Sequence, residues 1–274
     1  MPFTDSRVWD FIDHYYQQRI DRTVLARNDY VIRKCGYCRL IYQQQILTPE
    51  RMLDLYESWT STSVSLEKKR HGKRQMFIGY AREIINIGEF IEKAPHATRI
   101  LEFGLGWGYW LNLARAFGYE TTGLDLSPSR QDFAQKNGLR IVESLDVIAD
   151  ERFDYIYSNQ VIEHISEPGD TLKRLKRLLR PGGVIHLQVP DEPGIEKRLK
   201  HPDWRAGKDA LQPLEHINCF NRRSFERFAQ DNELRLVYRP LILGRANFKI
   251  VWKNVRQHIR DRCHSTQVFL RLDP

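Results

Sequence analysis

Short apolar runs alternate with amphipathic stretches from Arg99 onward. RILEF reads as a buried strand, and WLNLARAFG as a helix closed by Gly118. YETTGLDL predicts a second strand. SPSRQDFAQKNG predicts a helix capped by Ser127, with Pro128 at its first position and Gly138 at its end. LRIVE and FDYIYSN follow as third and fourth strands. GDTLKRLKRLLRPGG reads as a basic helix with a hard stop, and VIHLQVP as a fifth strand. Leu172, Leu175, Leu178 and Leu179 share one side of that helix and its cations the other, the pattern of a core-packed helix with a solvated face. Strands alternating with helices predict an α/β fold with a parallel sheet covered on both faces. Right-handed crossovers make that sheet doubly wound.

The flanks are less regular. Residues 1–62 read as an appendage, with a strand-like run, DYVIRKCGYCRLIYQQQ, and a helix, PERMLDLYESW. Ser61–Ser65 is polar and predicts a loop. Residues 67–93 read as one helix, with Phe77, Ile84, Ile85 and Phe90 at roughly helical spacing. The main domain is then 63–274, with a lid over 192–233. Within 246–262, Phe248, Trp252, Val255 and Ile259 are spaced 4, 3, 4, and Lys249, Lys253, Arg256 and Arg260 follow one residue later. That places a cationic stripe beside an apolar one. Such a helix packs on the domain with its cations in water, or in a sharper reading lies on anionic lipid or guides an anionic acceptor.

Composition changes the picture modestly. The 274 residues carry 43 Lys and Arg against 35 Asp and Glu, a formal charge of +8. The charge is uneven: residues 96–170 hold six basic and twelve acidic residues, while 64–82 and 240–264 each hold six basic and one acidic. Basic flanks suit nucleic acid, anionic small molecules or lipid surfaces, and sign alone does not choose. No apolar run approaches the roughly 18 residues of a membrane span, and MPFTDSRVWDFIDHYY lacks a signal-peptide layout. Four cysteines in so long a chain do not suggest a disulfide scaffold, so a cytoplasmic compartment is expected. Oligomeric state is not readable.

The most informative stretch is Leu101-Glu102-Phe103-Gly104-Leu105-Gly106-Trp107-Gly108-Tyr109, between a strand and a helix. Glycines there let backbone approach a ligand and tolerate positive φ. A dinucleotide loop wants a third Gly where Tyr109 stands. Instead an acid precedes the first Gly by two residues, suited to a cationic ammonium and unwelcoming to pyrophosphate. Asp125 ends the second strand 21 residues after Gly104, where a carboxylate takes ribose hydroxyls. The pair predicts a nucleoside ligand with a positively charged tail and no phosphate.

ILEFGLGWG, GLDLS, FDYIYSNQVIEHISEP and LKRLLRPGGVIHLQVP, in that order over about residues 98–191, resemble the motifs of class I S-adenosylmethionine-dependent methyltransferases. The resemblance implies a Rossmann-like sheet of seven strands with the last antiparallel, LRLVYRP and TQVFLRL being the sixth and seventh. It implies S-adenosyl-L-methionine as cofactor. By it, Glu102, Gly104, Gly106 and Gly108, with Tyr109 beside them, hold the methionine end. Asp125 and Leu126 meet ribose and adenine, Ser144 and Leu145 lie along the adenine, and Asn159 and Gln160 close over the methyl. Glu143 or Asp146 stands near the place of an adenine-binding acid.

The sulfonium is already activated, so the protein supplies alignment, a dry site and, for some acceptors, a base. Two Glu-His pairs stand at the expected lip: Glu163-His164 and Glu215-His216. His164 and His216 are the candidate bases or acceptor-positioning groups, and Glu163 and Glu215 the candidate acceptor contacts; each histidine reads equally as a structural hydrogen-bonding residue. Cys35-Gly-Tyr-Cys38, followed by LTPERMLDLYESW, resembles half of the N-terminal zinc ribbon of some methyltransferases. Four ligands are needed, and residues 1–34 offer no cysteine pair and only His14, so a relic ribbon without metal is expected. The expected activity is methyl transfer to a small molecule such as a sugar, quinone-like or lipid-linked metabolite. A nucleic-acid methyltransferase or a non-catalytic cofactor-binding scaffold is the alternative; Ser158-Asn159-Gln160-Val161 lacks the tetrad of amino-directed nucleic-acid enzymes.

Overall fold

A computed structural model of the chain describes residues 1–190, 194–238, 255 and 267–272. The chain opens with α1 (Ser6–Tyr15), capped by Asp5, and an antiparallel hairpin of β1 (Ile32–Lys34) and β2 (Ile41–Gln43). Thr48 caps α2 (Pro49–Asp54), which runs into a π-helical turn over Leu55–Trp59. Two helices follow, α3 (Thr62–Arg70) and α4 (Arg74–Ile85).

These two helices correct the expectation of a loop at 61–65 and one helix over 67–93. The Ser61 hydroxyl accepts from the Val64 amide at 3.4 Å and starts α3. The chain then breaks at His71-Gly72, and Lys73 is extended (ψ 144°) as the cap of α4. Of the four apolar residues assigned to that helix, Ile84 and Phe90 are buried, whereas Ile85 and Phe77 are exposed.

The core unit is β3 (Arg99–Phe103), α5 (Tyr109–Ala116), β4 (Glu120–Leu124), α6 (Pro128–Lys136), β5 (Ile141–Val142), β6 (Phe153–Asn159), α7 (Pro168–Arg177) and β7 (Leu179–Gln188). Beyond it come α8 (Ile195–Leu199), β8 (Asn218–Cys219), α9 (Arg222–Gln230), β9 (Leu234–Val237) and β10 (Gln267–Leu272). Among the described residues seven strands form one sheet, ordered β5-β4-β3-β6-β7-β10-β9. Strands β3 to β7 pair in parallel, and β10 runs antiparallel to both neighbours. The expected doubly wound sheet with one reversed strand is therefore present.

Alternation along the strands explains its two covered faces. Leu101, Ile156, Ile185 and Leu187 pack on one side with Leu172 and Leu175 of α7 and Phe225 of α9. Ile100, Tyr155, Tyr157 and Val184 pack on the other with Ile84 of α4 and Trp110 and Leu111 of α5. The basic helix stops as expected, at Arg177, but the Arg-Pro-Gly-Gly beyond it forms a bulge inside β7. Phe153 faces Leu179, yet Tyr155 faces Val184, so Arg-Pro-Gly-Gly is looped out of register.

The bulge turns Arg180 toward buried Asp154. That carboxylate accepts from Lys93 Nζ at 2.6 Å, Arg180 Nη1 at 2.9 Å and the Arg99 amide at 2.8 Å. Both cationic side chains are partly exposed, so they regain water when the carboxylate is removed. Asp154→Ala is accordingly expected to cost about 2 kcal/mol, less than for a fully buried pair. Thermal unfolding checks it, with Tm falling by roughly 4–8 °C.

Residues 1–62 share structure with a later segment. β2 pairs with β8, forming a second sheet β1-β2-β8. Phe3, Val8, Ile12, Tyr30 and Trp59 cluster with Leu214, and Trp204 packs against them. Gln43 Nε2 donates to the carbonyls of Gln212 and His216, both at 2.9 Å. Cys35 and Cys38 stand at the hairpin turn between β1 and β2. The basic helix predicted over 246–262 lies outside the described residues except for Val255. No helix among the described residues is long and apolar enough to cross a membrane.

Candidate functional site

A cavity of about 540 Å³ opens at the carboxyl ends of β3, β4 and β6, where open α/β sheets place their ligands. Its floor is the glycine turn after β3. Gly106 has φ +56°, and a Cβ built on it would meet nothing within 4 Å, so its bare face looks into open space. Its amide donates to Asp125 Oδ2 at 2.8 Å. Gly108 lies outside the lining and caps α5 with φ +70°.

Asp125 leaves β4 nearly buried. Its Oδ1 accepts from the Ser127 amide at 3.0 Å, and Arg130 Nη1 stands 3.7 Å away. Burial pushes its carboxyl upward. Glu102 is also buried, and its Oε2 has no hydrogen-bond partner. Burial pushes it well above the ordinary carboxylate range. Next to Asp125, Leu126 is 69 % exposed and lines the cavity, an apolar side chain left open beside a charged one. Ser144, Leu145 and Tyr109 line it as well. At the end of β6, Asn159 brings a buried Oδ1 without a partner. Gln160 follows with φ 58°, a left-handed backbone rare outside glycine and frequent at functional sites.

The histidines are held by backbone. His164, in the 3₁₀ turn Ile162–His164, lines the cavity, and its Nδ1 donates to the Glu215 carbonyl at 2.9 Å. Burial lowers its pKa to about 3, so the ring is neutral. His216 lies behind it, ring centroids 4.9 Å apart, with Nδ1 donating to the Asp209 carbonyl. Glu215 lines the cavity and accepts the Tyr16 hydroxyl at 2.7 Å. Glu163 and His216 do not line it. Glu163 is fully buried, with neither carboxyl oxygen hydrogen-bonded, and burial pushes it up to about 8.

Several lining residues escaped the sequence reading. Met52, Tyr56, Ser65 and Lys69 come from the N-terminal part of the chain, Arg130 from α6 and Arg174 from α7. Tyr56 sits in the π-helical turn, a local irregularity frequent at functional sites, and its ring lies edge-on to His164 at 6.3 Å. The only sequence signal was the helix ending in Tyr after the cysteine pair. Glu57, one residue on, accepts from the hydroxyls of Ser127 and Ser129 and ties this turn to the start of α6.

A methyltransferase-domain family model matches residues 72–239. A malonyl-[acyl-carrier protein] O-methyltransferase of Pseudescherichia vulneris is 36% identical over 135 residues, 47% of this chain and 50% of that one. A ubiquinone biosynthesis O-methyltransferase of Dinoroseobacter shibae is 31% identical over 122 residues, 41% of this chain and 47% of the other. The chain spans about half the length of these curated relatives. The solved 1,6-didemethyltoxoflavin-N1-methyltransferase of Burkholderia thailandensis, bound to 1,6-didemethyltoxoflavin and S-adenosylhomocysteine, superposes with a TM-score of 0.50 at 16% identity. That match covers 89% of this chain and 99% of that one, a likeness of fold.

Proposed function

The chain belongs to the methyltransferase-domain family, and from that premise we propose that it transfers a methyl group from S-adenosylmethionine to a small-molecule acceptor. The observation that carries the reading is one cavity bringing together the bare face of Gly106, Glu102 with its unpartnered Oε2 and the ribose-height Asp125. When bound, the cofactor supplies a methyl group on a sulfonium, ready for displacement.

The residues fit that group. Glu102 receives a cationic ammonium, which returns a counter-charge to a carboxyl that burial has pushed toward neutrality. Asp125 takes the ribose hydroxyls. Leu126 and Leu145 offer apolar surface to a purine, and Glu143 is the better-placed acid for its amine, because Asp146 is engaged by Arg174 at 2.8 Å. Asn159 Oδ1 and the backbone of Gln160 border the methyl-transfer end. Tyr56, Met52 and Lys69 form the acceptor wall, and this covering by the N-terminal part supports a small acceptor over a polymer. His164 positions the acceptor, and His216 supports its ring from behind; in neutral rings with Nδ1 donating to a carbonyl, Nε2 is the accepting atom. A cytoplasmic location goes with this reading.

Calorimetry with S-adenosylmethionine and S-adenosylhomocysteine, followed by methyl release against panels of hydroxylated, carboxylated and nucleic-acid acceptors, tests it. Heat with the cofactor and turnover on a small molecule support the reading; absence of heat with both compounds rejects it. His164→Ala and His216→Ala are expected to divide. At least one should lose roughly tenfold in turnover at saturating cofactor, the worth of a lost acceptor hydrogen bond of about 1–1.5 kcal/mol. Full activity in both removes the histidines from the chemistry.

A further inference from the structure

We propose that Glu163, His164 and His216 form a binding site for a transition-metal dication of the zinc type. One donor atom from each lies within 4.8 Å of the others. His164 Nε2 stands 3.8 Å from Glu163 Oε1.

The hydrogen bonds around the cluster leave it suited to a cation. The Nδ1 of each histidine meets a backbone carbonyl, Glu215 for His164 and Asp209 for His216. A carbonyl only accepts, so each Nδ1 carries the hydrogen and each neutral ring keeps its lone pair on Nε2. Glu163 adds two carboxyl oxygens at 0 % exposure, neither with a partner. The two Glu163 oxygens have no hydrogen-bond partner, and one ring nitrogen of each histidine lies beside them. An unpartnered buried carboxyl is costly, and a cation would satisfy all three residues at once. Imidazoles held through Nδ1–H to carbonyls are the usual outer-shell arrangement of metal-binding histidines. Two imidazoles and one carboxylate suit zinc and its neighbours better than magnesium or calcium.

Donor atoms of a tetrahedral zinc lie about 3.3 Å apart for bonds near 2.0–2.1 Å. The cluster must therefore tighten by up to about 1.5 Å, and the unbonded Glu163 carboxyl has no hydrogen bond to give up. Three protein ligands leave a fourth position open. His164 lines the cavity, so that position faces the acceptor end. There an oxygen of the acceptor would complete the shell; this last step alone rests on the methyl-transfer reading. With an ion bound, the two imidazoles act through it and are no longer free bases.

The test uses the full chain carrying Cys35→Ser and Cys38→Ser, which removes the other zinc-binding side chains at the hairpin turn. The protein is stripped with chelator, checked by circular dichroism, and titrated with Zn²⁺, with Co²⁺ as a spectroscopic probe and with Mg²⁺. One equivalent of Zn²⁺, visible Co²⁺ bands of a four-coordinate nitrogen–oxygen site and no tight Mg²⁺ binding are expected. Adding Glu163→Gln or His216→Ala should weaken Zn²⁺ at least tenfold. No zinc uptake by the folded, stripped protein overturns the proposal, as does uptake unchanged in both variants. Because binding is read without cofactor or acceptor, failure here leaves the methyl-transfer reading standing.

Discussion

Asp125→Ala is expected to weaken S-adenosylmethionine binding about 100-fold, equivalent to about 2.7 kcal/mol. Two losses add. The first is the acceptor for the ribose, a hydrogen bond to a charged group worth about 1.5–3 kcal/mol. The second is the brace that holds the glycine turn. Asp125 joins the amides of Gly106 and Ser127 across the end of β4, at 2.8 and 3.0 Å. Removing it frees both amides and leaves Arg130 without its nearest carboxylate. Asp125→Asn keeps one accepting oxygen but turns an amide NH₂ toward one of those donors, so it should recover only part of the loss. Calorimetry with cofactor and with S-adenosylhomocysteine is the measurement. Both share the ribose, so both should weaken alike; wild-type affinity for either would remove Asp125 from the ribose.

Gly104→Ala should cost about 3 kcal/mol of folding stability and abolish cofactor binding in the same step. Gly104 has φ +79°, where an L side chain costs roughly 1–2 kcal/mol. A Cβ there would also sit 2.2 Å from Val161 Cγ2 and 2.9 Å from Cγ1, an overpacking that adds about 1–3 kcal/mol. Val161 precedes the turn that carries Glu163 and His164, so the strain passes from the cofactor floor into the acceptor side. A Tm fall of roughly 6–12 °C is expected. The double variant Gly104→Ala with Val161→Ala removes the clash and leaves the backbone strain. It should recover part of the stability, and no recovery would mean that the clash is relieved elsewhere at no cost.

The core was legible because its signals are local. A buried parallel strand shows as an apolar run, and Ser127-Pro128 or Gly118 marks a helix end by its own backbone chemistry. The cofactor floor was legible for the same reason, since Glu102, Gly106 and Asp125 lie at the ends of consecutive strands. The errors fell where tertiary contact overrides pattern. Apolar spacing over 67–93 ran through His71-Gly72-Lys73, where His71 ends one helix and an extended Lys73 starts another. Arg-Pro-Gly-Gly follows the helix end as expected but is also a bulge in β7, where Asp154 holds Arg180 against the sheet. The wall supplied by the N-terminal part was marked only by the helix after the cysteine pair. Tyr56 meets His164, and Tyr16 meets Glu215, across 108 and 199 positions of sequence, contacts that the chain's local pattern does not announce. The convergence of Glu163 with both histidines likewise depends on which ring nitrogen each carbonyl occupies, a matter of folding geometry.

The small sheet β1-β2-β8 bears on how the molecule can be cut and recombined. Its first two strands come from the beginning of the chain and its third from the segment beside His216. A shortened version starting near residue 63 would strip β8 of its neighbour and the Gln212 and His216 carbonyls of their Gln43 donor. Grafting a foreign N-terminal segment onto the remainder of the chain, or swapping such segments between homologous chains, would have to carry residues 204–219 along as a matched set.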